Sequence, residues 1–356
     1  MDLHKLGFDE SYLEQLQGTT LEAFVPARVT AVHKGMYLIE GEDGASRAEL
    51  TGRFMYTAET NLDYPTVGDW VLVQLFDDGE LAIIHHLLPR KTILKRKSPG
   101  KLDVQLLGAN IDTAFIVQAL DGNAAVNRLE RYLVMVYDGG CDAVLLLSKT
   151  DLASAEALDE IQESVHTAHP DLAVIAFSNI LEDGLFSIRQ ILESGKTYCV
   201  LGSSGVGKTS LINHLLGEGA LSVGDVREWD GKGRHTTTSR QLIALDGGAF
   251  LVDTPGLREL GNFDVELGLT STFEDIYELA AACRFSDCSH RHEDDCAVRA
   301  AVEDGRLEKS RYEHFLKLQR ESNYYSMSAL ERRQRERLLG KTYKQMKRDF
   351  KKRKGQ

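Results

Sequence analysis

Gly202-Ser203-Ser204-Gly205-Val206-Gly207-Lys208-Thr209 spells Gly-x4-Gly-Lys-Thr between the apolar run Tyr198-Cys199-Val200-Leu201 and the helix-forming stretch Leu211-Ile212-Asn213-His214-Leu215-Leu216. A strand, a glycine loop and a helix in that order form the setting a phosphate-binding loop requires. Glycines let backbone N–H groups curl around phosphate oxygens at a helix N-terminus, where the helix dipole favours negative charge. Lys208 is then placed to reach the β- and γ-phosphates, and Thr209, next to Ser210, to hold Mg²⁺. A glycine-rich turn could produce the loop by chance, but not its flanks as well.

Working outward, residues 111–256 alternate strand and helix as a parallel α/β sheet demands. Downstream of the loop, Gly231-Lys232-Gly233-Arg234-His235-Thr236-Thr237-Thr238 reads as a flexible basic switch, its threonine run supplying a hydroxyl for Mg²⁺ and γ-phosphate contact and Thr237 counted with the nucleotide-binding residues. A strand over 249–252 then ends in Asp253-Thr254-Pro255-Gly256, which sets a carboxylate near Mg²⁺ and a glycine N–H at the γ-phosphate. Upstream, the buried-type strand Ala143–Leu147 ends in Ser148-Lys149-Thr150-Asp151, close to Asn-Lys-x-Asp. Asp151 would accept from guanine N1–H and N2, and the Lys149 stem would lie against the base. Adenine offers neither donor and would leave Asp151 unmatched, so guanine is expected. Ser148 in place of Asn removes an amide that could brace the phosphate loop, which predicts weaker base affinity. A further strand, Ala173–Phe177, ends in Ser178-Asn179, counted with the nucleotide-binding residues. In an ordinary small GTPase the guanine-reading segment follows the phosphate loop; here it precedes it.

From Phe24 to about Leu94 five short alternating strands separated by Gly, Asp and Pro turns predict a small closed barrel, with an OB-fold leading. Such a barrel could bind oligonucleotides or serve only for docking. A short helix over 9–18 precedes it, capped by Asp9, and the basic stretch Lys91, Lys95, Arg96, Lys97 and Lys101 reads as a connector, either touching RNA or solvated. The expected divisions are 1–22 (N-terminal extension), 23–97 (barrel), 98–265 (nucleotide-binding domain) and 266–356 (C-terminal domain).

The chain has 356 residues and a net charge of −12, unevenly spread: residues 331–356 hold 12 Lys/Arg against 3 Asp/Glu, leaving −21 on the rest. The one-signed excess in the tail predicts a polyanionic partner. No apolar run reaches the ~18–20 residues a membrane span needs, and Met1–Leu6 lacks a signal layout, so a cytoplasmic location is expected. Of five cysteines, Cys141 and Cys199 read as buried apolar residues. The other three form Cys283-x4-Cys288-x-His290-x5-Cys296, which can close a tetrahedral Cys₃His site, one structural Zn²⁺ per chain. Helices are expected over about 297–320 and 325–350.

The permuted motif order, together with Gly68-Asp69-Trp70-Val71, Gly202–Ser210, Gly231–Thr238, Asp253–Gly256 and the cysteine cluster, resembles the circularly permuted GTPases of small ribosomal subunit biogenesis, the RsgA (YjeQ/YloQ) family. The resemblance covers nearly the whole chain. It implies an N-terminal OB-fold barrel, a central α/β P-loop GTPase and a mostly helical zinc-binding C-terminal domain, acting on the 30S subunit and its 16S rRNA late in maturation. All four metal-ligand positions match the family's pattern. Leu257 stands where Ras-like enzymes carry the glutamine that orients water. The nearest polar candidate is His235, to which the resemblance also points, so a slow intrinsic rate with subunit stimulation is expected. A P-loop small-molecule kinase would share Gly202–Thr209 without needing the other motifs, and a plain RNA-binding protein would show no turnover. A monomer is expected.

Overall fold

The computed structural model describes residues 2–16, 24–33, 35–97, 104–121, 125–181, 183–217, 240–253 and 265–326. Two compact units, residues 1–261 and 262–356, divide the chain.

In the first unit a 3-10 turn over Leu3–Leu6 precedes helix α1 (Glu10–Leu16), where Asp9 Oδ1 accepts from Ser11 N at 3.1 Å. Strands β1 (Val25–His33), β2 (Met36–Gly41) and β3 (Gly44–Leu50) form a meander, followed by helix α2 (Gly52–Thr57), whose cap Thr51 accepts from Phe54 N. Strands β4 (Trp70–Phe76) and β5 (Leu81–Leu87) then close the sheet in the order β1-β2-β3-β5-β4-β1. The β3–β5 pair, Arg47↔Leu81 to Leu50↔Ile84, is parallel; the other barrel pairs are antiparallel. Alternation along the strands turns Val29, Tyr37, Ile39, Val71, Val73 and Ile84 into a common interior. This is the five-stranded OB barrel that the strand spacing predicts.

The basic connector is instead a hairpin: β6 (Ile93–Lys97) pairs antiparallel with β7 (Val104–Ala109). Two of its cations have partners, Lys95 on Asp138 at 3.1 Å and Arg96 on Gln105 at 3.0 Å. Then follow β8 (Thr113–Ala119), α3 (Val126–Asp138), β9 (Asp142–Ser148), α4 (Ala155–Ala168), β10 (Ala173–Ala176), α5 (Leu185–Gln190), β11 (Thr197–Gly202), α6 (Lys208–Leu216), β12 (Gln241–Ala244) and β13 (Phe250–Asp253). Leu129, Tyr132, Leu133 and Val136 of α3 recur at helical spacing and are buried, and Ser154 caps α4 by accepting from Ala157 N.

Strands β10-β9-β8-β11-β13 run parallel, with β12 antiparallel at their edge. One register pair, Ala31↔Gln241, joins β12 to β1, so barrel and α/β sheet share a continuous set of strands. The central strand β11 has an earlier strand, β8, on one side and a later one, β13, on the other. That is the switch point at whose C-terminal edge α/β sheets bind ligands. Cys141 and Cys199 are buried, as expected.

The second unit contains α7 (Glu266–Thr272), α8 (Glu274–Ala280), α9 (Ala297–Glu303) and α10 (Lys309–Ser326). The helix expected over 297–320 is broken at Asp304-Gly305, because Gly305 takes φ +78° and Asp304 turns to bond Arg306. Among the described residues no helix is long and apolar enough to cross a membrane. The basic tail and most of the helix expected over 325–350 lie outside the described residues.

Candidate nucleotide and metal sites

The phosphate loop leaves the end of β11 and enters α6 under tight steric constraints. Gly202 adopts φ +147°, and a Cβ there would lie 2.4 Å from the Val117 carbonyl oxygen of β8. Gly207 adopts φ +94°, with a Cβ position 2.7 Å from Asn179 Nδ2. No other residue fits either place without moving backbone or a bracing side chain. Val206 is buried and pins the loop, while Ser204, Gly205, Thr209 and Ser210 are exposed and Ser203 is half-buried. The Lys208 ammonium donates to the carbonyls of Gly202 and Ser203 at 2.7 and 2.5 Å, which holds the cation over the loop.

Two neighbouring loops hold this one in place. Ser148, fully buried at the end of β9, donates from Oγ to the Val206 carbonyl at 2.6 Å. Asn179, following β10, donates from Nδ2 to the Gly207 carbonyl at 3.3 Å. Serine therefore does not forfeit the brace that the sequence suggests is lost with asparagine: its short hydroxyl reaches the loop from a buried position, and Asn179 supplies an amide.

The same two loops arrange the Asp151 carboxylate. Ser178 Oγ donates to Asp151 Oδ1 at 2.6 Å and accepts from Ile180 N and Leu181 N at 3.1 and 3.2 Å. Thr150 N bonds the Phe177 carbonyl, which ties the two loops together. Lys149 sits in the left-handed region at φ +61°, its Nζ 2.8 Å from Asp121 Oδ2. Thus Ser148 to Asp151, Ser178, Asn179 and the phosphate loop converge at the C-terminal edge of the sheet. Asp121 carries no motif that would have flagged it. For Asp253 the strand is described, pairing with Gln241, but not the side chain. His235, Thr237 and Gly256 lie outside the described residues.

In the C-terminal unit the ligand atoms of Cys283, Cys288, His290 and Cys296 all lie within 4.8 Å of one another. The distances are 3.6 Å from Cys283 Sγ to His290 Nδ1, 3.5 Å from Cys296 Sγ to Nδ1 and 3.9 Å between Cys283 and Cys296 sulfurs. A tetrahedron with metal–sulfur bonds of about 2.3 Å and a metal–nitrogen bond of about 2.0 Å has edges of about 3.5–3.8 Å, so the four donors fit one Zn²⁺. Tyr312 Oη donates to the His290 carbonyl at 2.6 Å, and the Glu293 carboxylate accepts from Ser289 N, Ser289 Oγ, Arg291 N and His292 N. Glu293, not singled out from the sequence, organises the turn between the ligands.

The family model for RsgA GTPase matches residues 87–263. The small ribosomal subunit biogenesis GTPase RsgA of Opitutus terrae is 40% identical over 338 residues, 91% of this chain and 90% of that protein. Its namesake RsgA 1 of Bacteroides thetaiotaomicron is 38% identical over 348 residues, 97% of each. Among solved structures, YjeQ from Thermotoga maritima superposes with a TM-score of 0.63 at 28% identity, covering 83% of this chain and 96% of that one. YloQ, described as a circularly permuted GTPase, shares the fold with a TM-score of 0.62 at 24% identity, covering 88% and 99%.

Proposed function

Because the chain belongs to the RsgA GTPase family, we propose that it acts in small ribosomal subunit biogenesis, binding the 30S subunit and its 16S rRNA late in maturation and hydrolysing GTP to GDP and phosphate faster on the subunit than alone. The observation that carries the nucleotide reading is the wiring of three loops: Ser178 aims the Asp151 carboxylate, while Ser148 and Asn179 hold the phosphate loop. A guanine base edge on Asp151 and phosphates on the Gly202–Ser210 backbone would then be fixed relative to each other by hydrogen bonds already made. The Lys149 stem would cover one face of the base. Lys208 would move from the loop carbonyls to the β- and γ-phosphate oxygens. Thr209, Thr237 and Asp253 are the residues to hold Mg²⁺ with GTP, an ion that neutralises charge on the β/γ oxygens. Gly256 N–H would meet the γ-phosphate, and His235 would orient the attacking water, since Leu257 cannot.

Cys283, Cys288, His290 and Cys296 would hold a structural zinc, closed to solvent chemistry. The barrel (23–97), the nucleotide-binding domain (98–265) and the zinc-binding domain with its basic tail (266–356) would act together as a monomer in the cytoplasm, the tail gripping rRNA. The test is displacement of labelled GTP combined with sedimentation alongside purified 30S subunits. Unlabelled GTP should displace the label while equal ATP barely does so, and the chain should sediment with subunits when loaded with a non-hydrolysable GTP analogue. Equal displacement by ATP would favour a kinase; absence from the subunit pellet would remove the ribosomal part.

A further inference from the structure

A cleft of about 260 Å³ lies at the N-terminal end of β11, the end opposite the phosphate loop, where the N-terminal extension, the barrel and the α/β sheet meet. Arg28 of β1 lines it and is 2% exposed. Its NH1 donates to the Leu6 carbonyl and its NH2 to Thr197 Oγ1, but Nε–H finds no acceptor among the described residues. Trp70 and Phe250 lie over the guanidinium, 5.6 and 5.1 Å from the ring centroids. Ring faces screen the cation but cannot accept its in-plane N–H bonds.

A buried guanidinium ordinarily has a carboxylate. Among the described residues Arg28 has none of its own. Asp69 is taken by Arg90 in a two-point bond at 2.8 and 2.7 Å, and by Thr66 N. Asp112 accepts from Lys196 Nζ and Thr197 N, both at 2.8 Å. Asp9 is paired with Lys91, whose Nζ also lies 4.7 Å from the Tyr12 ring centroid. Burial pushes Arg28 down to about 10, which leaves it cationic at neutral pH. The cleft therefore presents Arg28, Lys91 and Lys196 against Asp9 and Asp112, an excess of one positive charge with the two lysines half-exposed at its mouth.

We propose that this cleft binds a small organic carboxylate, its oxygens met by Lys91 and Lys196 at the mouth and its charge balanced by Arg28 beneath. A singly charged oxyanion neutralises the excess, whereas the second charge of a phosphate would face Asp9 and Asp112 without a partner. The site is separate from the nucleotide loops and stands whether or not those bind GTP.

Trp70, over Arg28, provides the reporter, since the chain has only one other tryptophan, Trp229. The full-length Trp229→Phe protein, saturated with GDP, would be titrated with propionate, with inorganic phosphate and with sodium chloride at matched ionic strength, following Trp70 emission and heat of binding. Propionate should give a saturable change that chloride does not, with phosphate weaker. Lys91→Ala combined with Lys196→Ala should weaken propionate at least about tenfold, the loss of charge-assisted hydrogen bonds, without altering circular dichroism. No saturable response, the same response to chloride, tighter binding of phosphate, or full binding by the double variant would each overturn the assignment.

Discussion

The four candidate metal donors come from one short stretch, Cys283 to Cys296, whereas the loops proposed to hold the nucleotide come from the ends of β9, β10 and β11, as far apart in sequence as Ser148 and Lys208. The first arrangement is local: a turn organised by Glu293 brings the sulfurs and the imidazole together, and in small metal-bound modules the ion supplies much of the folding energy. The second is held by a sheet whose apolar interior exists regardless of ligand, with hydroxyls and amides of one loop fixing the next. The two regions should fail independently, one by metal loss and one by single hydrogen-bond changes.

The largest expected effect is on the metal side. Cys288→Ala, or chelation, should remove the proposed single zinc and unfold the C-terminal helices, because structural zinc contributes on the order of 10 kcal/mol to such modules. Helical signal by circular dichroism should fall while GTP affinity stays within about twofold. A folded, zinc-free preparation would break the comparison.

Next comes Asp151→Asn. Exchanging an acceptor for an amide should weaken GTP about a hundredfold or more and move preference toward xanthosine triphosphate, since the variant faces guanine N1–H and N2 with the wrong group. Competition binding measures it, and unchanged GTP affinity would show that Asp151 does not read the base.

Smaller still is Ser148→Ala, which leaves the Val206 carbonyl unpaired at about 1–3 kcal/mol. GTP and GDP should weaken together by about five- to tenfold, with no change in guanine preference. Altered preference with unchanged affinity for the diphosphate would mean that Ser148 acts on the base and not on the loop.

The barrel and the alternating strands of the α/β sheet were legible because period-2 alternation and buried β-branched runs mark strands wherever turn residues bound them. The β6–β7 hairpin was not, because Lys91, Lys95 and Arg96 read as a connector that either touches RNA or is solvated, and only the pairing of the strands shows that Asp138 and Gln105 receive two of these cations. Motif spacing located Ser148, Asp151 and the phosphate loop, yet whether a serine can replace the asparagine brace is a matter of about an ångström, decided by how deeply β9 sets residue 148. The convergence of the three cysteines and His290 was readable because they are near neighbours in sequence. Arg28 gave no signal at all: a single arginine within an alternating strand looks like a solvent-facing position, and only the meeting of Leu6, Trp70, Thr197 and Phe250 around it makes it interior.

The central claim is a GTPase completed by the small ribosomal subunit, and single-turnover GTP hydrolysis on saturating 30S subunits tests it most directly. The account predicts at least about tenfold acceleration over the isolated protein, about 1.4 kcal/mol of barrier, most of it lost in His235→Ala while GTP binding persists. Equal rates with and without subunits, or a His235→Ala rate equal to that of the unaltered chain, would contradict it.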